Sequence, residues 1–437
     1  DIKKQIIPVF SAVQIYGRVF VMRILHILSQ MPDFTGSGKT IQAIIRQAQA
    51  RGHENFLVAG IQDGFEPDPS LLLPDQALFV RFNGKDLDFP LPGMSDVMPY
   101  ESTVFSSMNA GQLDKYHHTF ENRLKLAKER FAPDIIHTHH LWIVSKIARR
   151  VFSSTPMVTS CHGTGLRQYS LCPGIGRQIT GAVGKIDRIF CLSCHQKEQV
   201  SRIHKVPPEQ ICVVGAGYDH RLFAFNPDSD IKKENGPVEI VYAGKLSCAK
   251  GVPWLLRSLS KIKGLDFRLH LVGSGSGEEK EECLMLAESE GNRVVLHGAV
   301  SHETLANLLR NAHLFVLPSF FEGLPLVIME ALASGCRILT TALPGTREIL
   351  KGAASDMVDL VELPVLKTID APFEKDMPAL EKTLAQALEK SIRKILAQRQ
   401  PDTEWAEQIT RPYTWEKVFS RMEAVYEAVC EKYEAGR

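Results

Sequence analysis

The chain has 437 residues, which calls for two domains of ordinary size rather than one. Its 51 basic residues nearly balance 50 acidic ones, so it lacks the strongly basic balance of a nucleic-acid binder, and nucleic acid is not an expected partner. Apolar residues make up 44%, enough for two cores, yet no run reaches the roughly 20 apolar residues of a membrane span.

In chain order, residues 1–21 carry two lysines around an apolar middle, as a signal peptide would. A strand pattern follows at once after Met22, with no small-residue cleavage site, so residues 1–21 read as an upstream extension and Met22 as the natural start. Short, nearly all-apolar runs then occur at 24–28, 56–59, 78–80, 135–136, 157–159, 188–192 and 211–214, with helical patterns between them such as 40–51 and 116–131. Runs without polar alternation mark strands buried on both faces, hence a parallel sheet with helices on each side. The polar stretch 226–237 reads as a linker. The pattern restarts at 238–243, 267–272, 294–296, 314–317 and 337–340, a second α/β unit. A last helix over 414–432 puts Val418, Met422, Val425, Tyr426 and Val429 on one stripe. The fold class expected is α/β, two Rossmann-like domains facing across a cleft, residues 22–225 and 226–410, with 411–437 as a C-terminal helix. Ligands of such sheets gather at the carboxyl ends of the strands, which puts the site in the cleft.

Several motifs invite a sharper reading than they support. Nine cysteines without a repeated spacing fit reduced thiols and a cytoplasmic location. Cys191, Cys194 and His195 lack the second ligand pair of a structural zinc site and read as two half-buried thiols at a strand end. Gly36-Ser-Gly38-Lys39-Thr40 imitates a P-loop, but Asp33 stands where its first glycine should be, so a glycine-rich loop open to a ligand is the better reading. Asp86-Leu-Asp88 and Asp228-Ser-Asp230 imitate a metal-binding aspartate pair and read as solvated turns; no metal is expected. Arg123, Lys125, Lys128, Arg130, Lys146, Arg149 and Arg150 read as a solvated face, with a membrane-facing patch as the alternative. Packing or capping, rather than chemistry, is expected of His137, His139 and His140.

The most informative segment runs from Phe320 to Gly335 and holds Glu322 and Glu330 with seven residues between them. It follows an apolar strand and opens a helix. Glycine at 323 permits close backbone approach, and free amides at a helix start favour an anionic or hydroxyl-bearing group. Two turns into the helix, the Glu330 carboxylate could accept two hydrogen bonds from a vicinal diol such as a ribose. Upstream, Lys245 and Lys250 lie between a strand and a helix, where two cations could neutralise a pyrophosphate.

In these motifs the chain resembles the retaining glycosyltransferases of family 4 (glycosyl transferases group 1), which have the GT-B fold. Their E-x7-E is matched by Glu322 and Glu330, and their G-[RK]-L…K-G loop by Gly244-Lys245-Leu246 with Lys250-Gly251. Their V-G-x-G turn is matched by Val272-Gly273-Ser-Gly275, followed by His297-Gly298. Ser160-Cys-His162-Gly163 and Pro133-Asp-Ile-Ile-His137 resemble their strand ends, and Tyr413-Thr-Trp415-Glu416 their helix crossing back to the first domain. Ala216-Gly217-Tyr218-Asp219 and Pro344-Gly345-Thr346-Arg347-Glu348 depart from the family's N-G-V-D and G-G-x-x-E.

The resemblance implies a retaining, metal-independent transferase with no cofactor, which moves a sugar from a nucleotide-diphosphate-sugar to a sugar or lipid-linked acceptor. Synthesis of cell-surface polysaccharide, lipopolysaccharide or glycolipid is the setting it suggests, with peripheral contact at the inner face of a membrane as one option. By the same resemblance Lys245 and Lys250 hold the diphosphate, Glu330 the ribose, and Glu322 with the amides of Gly323 and Leu324 the sugar. Gly244, Gly273, Gly275 and Gly298 line the donor, His162 faces its sugar, and Gly36 and Gly38 lie on the acceptor side. A nucleotide-sugar epimerase of the same fold, a phosphorylase-like enzyme, or a silent nucleotide-sugar binder are the alternatives.

Overall fold

The computed structural model describes residues 21–33, 35–68, 70–95, 98–226, 236–350 and 356–435. Two wholly parallel sheets organise them. The first joins β1 (Arg23–Leu28), β2 (Glu54–Gln62), β3 (Ala77–Phe82), β6 (Ile135–His139), β7 (Met157–Ser160), β8 (Arg188–Cys191) and β9 (Ile211–Val213) in the order β3-β2-β1-β6-β7-β8-β9. Two short strands, β4 (Pro92–Gly93) and β5 (Thr103–Val104), pair apart from it. The second joins β10 (Val238–Ala243), β11 (Phe267–Val272), β12 (Val294–Gly298), β13 (Leu314–Leu317), β14 (Arg337–Thr341) and β15 (Val358–Val361) in the order β12-β11-β10-β13-β14-β15. Strand order reverses between β1 and β6 and between β10 and β13. At such points the loops on either side diverge and leave a crevice beyond the strand ends.

Apolar continuity explains the strands: β6, β7, β13 and β14 are buried along their whole length. Strand β15 escapes the sequence pattern because it is a sheet edge, and Val-Asp-Leu-Val leaves Leu360 exposed. The helix Gly36–Ala50 begins four residues before the expected 40, because the Thr35 hydroxyl caps it by accepting from the Gly38 amide at 3.0 Å. Gly36, Ser37 and Gly38 are therefore a first helical turn rather than an open loop. Asn109 and Gln112 form a reciprocal capping box that starts the helix Ala110–Phe131 well ahead of 116.

The helix Trp415–Ala435 lies on the first sheet, where Val418, Phe419, Met422, Tyr426 and Cys430 meet Ile24, Ile135, Val158 and Phe190. Val425, expected on the buried stripe, is only partly covered, while Phe419 and Cys430 are buried in its place.

Other expectations are corrected here. Asp86 is no solvated turn residue: it accepts from the Arg81 amide at 2.8 Å and from Arg123 at 2.9 Å. Asp88 is exposed and pairs with Lys115. Asp228 and Asp230 lie outside the described residues, with most of the 226–237 stretch. Cys191 is fully buried and Cys194 exposed, so they are not two half-buried thiols. Within the basic run, Arg123, Lys125, Arg149 and Arg150 are ion-paired with Asp86, Glu121 or Asp187. Among the described residues no helix is long and apolar enough to cross a membrane.

Candidate active site

Four strand ends of the second sheet build one side of the cleft. After β10 the chain turns through Gly244, Lys245 and Leu246, where the Tyr242 hydroxyl donates to the Lys245 carbonyl at 2.8 Å. The loop is clamped to its neighbour beyond β11: Gly244 N donates to Val272 O and Leu246 N to Ser274 O. Contact is so close that a Cβ on Gly273, whose φ is +134°, would lie 1.8 Å from the Gly244 carbonyl oxygen, and one on Gly275 2.5 Å from that of Leu246. Only glycine fits both places. Gly273 N in turn donates to Gly298 O at 2.8 Å, which brings the end of β12 into the group.

The loop after β13 is held on both flanks. Phe320 N donates to Ala249 O at 3.0 Å, and the Phe320 ring stacks on Trp254 at 5.1 Å. From β14 the Thr341 hydroxyl donates to Ser319 O at 2.6 Å, and Gly345 presses on the Gly323 carbonyl. Gly323 itself has nothing within 4 Å of the place a Cβ would take. Leu324 packs its side chain against the core.

These supports bring Lys245, Lys250, Glu322 and Glu330 to one rim. Lys245 is exposed and has no ion pair among the described residues. Lys250 is not free: its Nζ donates to Glu322 Oε1 at 2.7 Å, and the buried Ser319 hydroxyl donates to the same oxygen at 2.8 Å. The two residues therefore satisfy each other. Glu330 lies in the helix Leu326–Ala333, its fifth residue and so a little over one turn in, not two. No protein group hydrogen-bonds its carboxylate among the described residues, and burial pushes its pKa up to about 7. The residue is only half-buried, so its carboxylate is open to the cleft, and a carboxylate with a raised pKa in such a place suits a ligand that supplies donors.

The first sheet contributes histidines at the β6 and β7 ends. His162 Nε2 and His139 Nδ1 are hydrogen-bonded at 3.0 Å, their rings stacked at 5.3 Å. His137 bonds to the Ser160 hydroxyl at 2.8 Å and, through Nδ1, to the Tyr426 hydroxyl of the last helix at 2.7 Å. His140 bonds the Thr164 hydroxyl at 3.0 Å. Burial drives His162 down to about 4 and lowers His137, His139 and His140 well below the usual imidazole range, so all four are neutral at pH 7. Potential ligand atoms of His26, His137 and His139 lie within 4.8 Å of one another. Both nitrogens of His137 are already engaged, so a cation there would have to displace Ser160 or Tyr426. Packing describes these three histidines best. Gly38 is a packing glycine too, with a Cβ position 2.7 Å from Pro32 O, whereas Gly36 faces open space.

The two rims meet. The Glu348 carboxylate accepts from the Cys194 amide at 2.7 and 2.8 Å, at the start of the helix Cys194–His204. Lys39 of the first domain approaches His302 of the second, whose pKa is lowered first by burial and then by the Lys39 charge. No hydrogen bond joins His162 to the lysine–glutamate cluster among the described residues. Sequence reasoning missed the supports Tyr242, Ser319 and Thr341. Their signal was slight, a hydroxyl at or just past a buried strand end.

Two facing parallel sheets, with the second bearing a cation loop and a glutamate-opened helix at its strand ends, define the GT-B architecture. Sucrose-phosphate synthase from Thermosynechococcus elongatus superposes with a TM-score of 0.66 at 18% identity, covering 93% of this chain and 99% of that one. Anabaena HepE in complex with UDP and glucose gives 0.66 at 17%, covering 93% and 100%. Residues 34–222 match the family model of glycosyltransferase family 4, and residues 226–356 that of glycosyl transferases group 1. The chain belongs to this family of glycosyltransferases. Among relatives, glycogen synthase of Mycobacterium tuberculosis is 25% identical over 345 residues, 75% of this chain and 80% of its own length. D-inositol 3-phosphate glycosyltransferase 1 of Catenulispora acidiphila is 26% identical over 250 residues, 52% and 60%.

Proposed function

We propose that the protein transfers a sugar, with retention of configuration and without a metal, from a nucleotide-diphosphate-sugar held mainly by the second domain. One observation carries this reading: the Glu330 carboxylate, half-buried and with its pKa raised to about 7, accepts no hydrogen bond from a protein group among the described residues and lies on the same rim as two lysines. Glu330 would take the ribose diol. Lys245 and Lys250 would stabilise the charge that grows on the diphosphate as the glycosidic bond breaks, more in the transition state than before it. Glu322 and the amides of Gly323 and Leu324 would orient the sugar. The acceptor, a sugar or lipid-linked hydroxyl, would enter from the first domain past His162 and attack on the face the leaving group vacates, with the donor phosphate taking its proton. Uridine diphosphate sugars are the first donors to try, because HepE is described in complex with UDP and with UDP-glucose.

The test is mass-spectrometric detection of donor hydrolysis across a panel of nucleotide sugars, with and without saturating EDTA. Turnover of at least one donor, unchanged by EDTA, is expected. Loss of turnover in EDTA that divalent metal restores would overturn the metal-free mechanism. Donor binding without turnover of any donor, in the presence of simple glycoside acceptors, would favour a silent binder.

A further inference from the structure

The two lysines of the cleft are not equivalent. Lys245 stands exposed, whereas Lys250 is compensated by Glu322, with Ser319 holding the shared oxygen. The pair is half-withdrawn from water, its side chains 30% and 14% exposed. Ser319 is buried and pinned through its carbonyl to Thr341, so Glu322 is tethered at Oε1 and cannot simply swing away. A diphosphate that recruits Lys250 takes the cation from a carboxylate that stays beside it. An incoming anion then faces a partly desolvated negative charge, a costly juxtaposition.

We propose that Glu322 is the residue by which the site distinguishes a sugar-bearing nucleotide from the bare nucleoside diphosphate. This rests on the donor reading above, and deepens it. A sugar attached to the diphosphate offers hydroxyl donors to Glu322, replacing the hydrogen bonds that Lys250 withdraws. Bare nucleoside diphosphate offers none, so Glu322 keeps Lys250 and the anion is held by Lys245 alone. The same exchange runs after transfer: once the sugar has gone to the acceptor, Glu322 reclaims Lys250 and the spent nucleotide is released. The Lys250–Glu322 pair is thus a competitor built into the site, overcome only by a complete donor.

Calorimetric titration of the full chain tests this, with inorganic pyrophosphate as a base-independent probe and uridine diphosphate beside it. Glu322→Gln keeps an oxygen for Ser319 but removes the charge that holds Lys250. Both probes should bind this variant about tenfold more tightly than the parent, within the usual range of coupling between sites. The gain from Glu322→Gln should be smaller in the Lys250→Ala background than in the parent, since there only the carboxylate's repulsion is relieved and no lysine is released to the anion. Equal or weaker binding by Glu322→Gln, while Lys245→Ala and Lys250→Ala each weaken it, would overturn the inference and leave the donor reading standing. Binding that neither lysine replacement changes, or no binding in any variant, would overturn the donor reading and the inference with it.

Discussion

Glu330 carries a proton at a pH where carboxylates normally do not, because burial lifts its pKa from 4.5 to about 7. The sign of the linkage follows. A folded-state value above the unfolded one means the stabilising form is the protonated one, fully present below about pH 4.5 and lost as pH rises through about 7. Donor binding runs the other way if the ionised carboxylate is what accepts the two hydroxyl protons of a diol. UDP-glucose, whose diphosphate does not titrate in this range, should therefore bind up to about tenfold tighter near pH 8 than near pH 6, and Glu330→Gln should flatten that slope. Replacement by Ala should cost about 1.5–3 kcal/mol for each charged hydrogen bond lost. Calorimetry at the two pH values decides it: a parent protein with no pH slope would remove Glu330 as the diol acceptor.

The loops that carry the site are built on glycines whose reasons differ. At Gly273 an added methyl would collide with the Gly244 carbonyl, so Gly273→Ala must push the 244–251 loop away from its neighbour. Gly323 faces open space, and Gly323→Ala should cost the fold little while filling part of the cleft. The expected outcome is a loss of about 1–3 kcal/mol in stability for Gly273→Ala alone, with donor affinity falling in both variants. Thermal midpoints that drop equally would show that the tight contact is not what the structure describes. Much of this scaffold was legible in the sequence: 238–243, 267–272 and 314–317 coincide with β10, β11 and β13, the last an uninterrupted apolar run and the others mainly apolar despite Glu239, Arg268 and His270. Gly36–Gly38 misled because two glycines suggest a loop, while the Thr35 cap that decides the matter is a single hydroxyl. Strand β15 was missed because an edge strand alternates and is short. Glu322 and Lys250 were both found, but not their pairing, since 72 positions separate them and sequence gives no distance between two loops.

At the scale of the molecule, Glu348 connects the halves. It lies in the helix Pro344–Ile349, whose Gly345 rests on the Gly323 carbonyl of the loop after β13, and its carboxylate caps a helix of the opposite domain. A carboxylate at a helix N-terminus stabilises by about 0.3–1 kcal/mol when exposed and up to about 2 when sheltered. Glu348→Gln should weaken that hold and enlarge the open population up to about tenfold. Small-angle scattering of the free protein should show a larger radius of gyration, and turnover should fall. A variant that scatters and turns over like the parent would mean this contact does not govern closure.

The helix Trp415–Ala435 has a consequence for how the chain is made. It supplies one wall of the first domain, covering Ile24, Ile135, Val158 and Phe190, and Tyr426 completes the bonding of His137. Its residues leave the ribosome roughly two hundred positions after β9 has emerged. At about 5–20 residues per second, the first domain must wait some 10–40 s with that apolar face uncovered. The half synthesised first is the half finished last, and a chain released early would lack the helix that seals it.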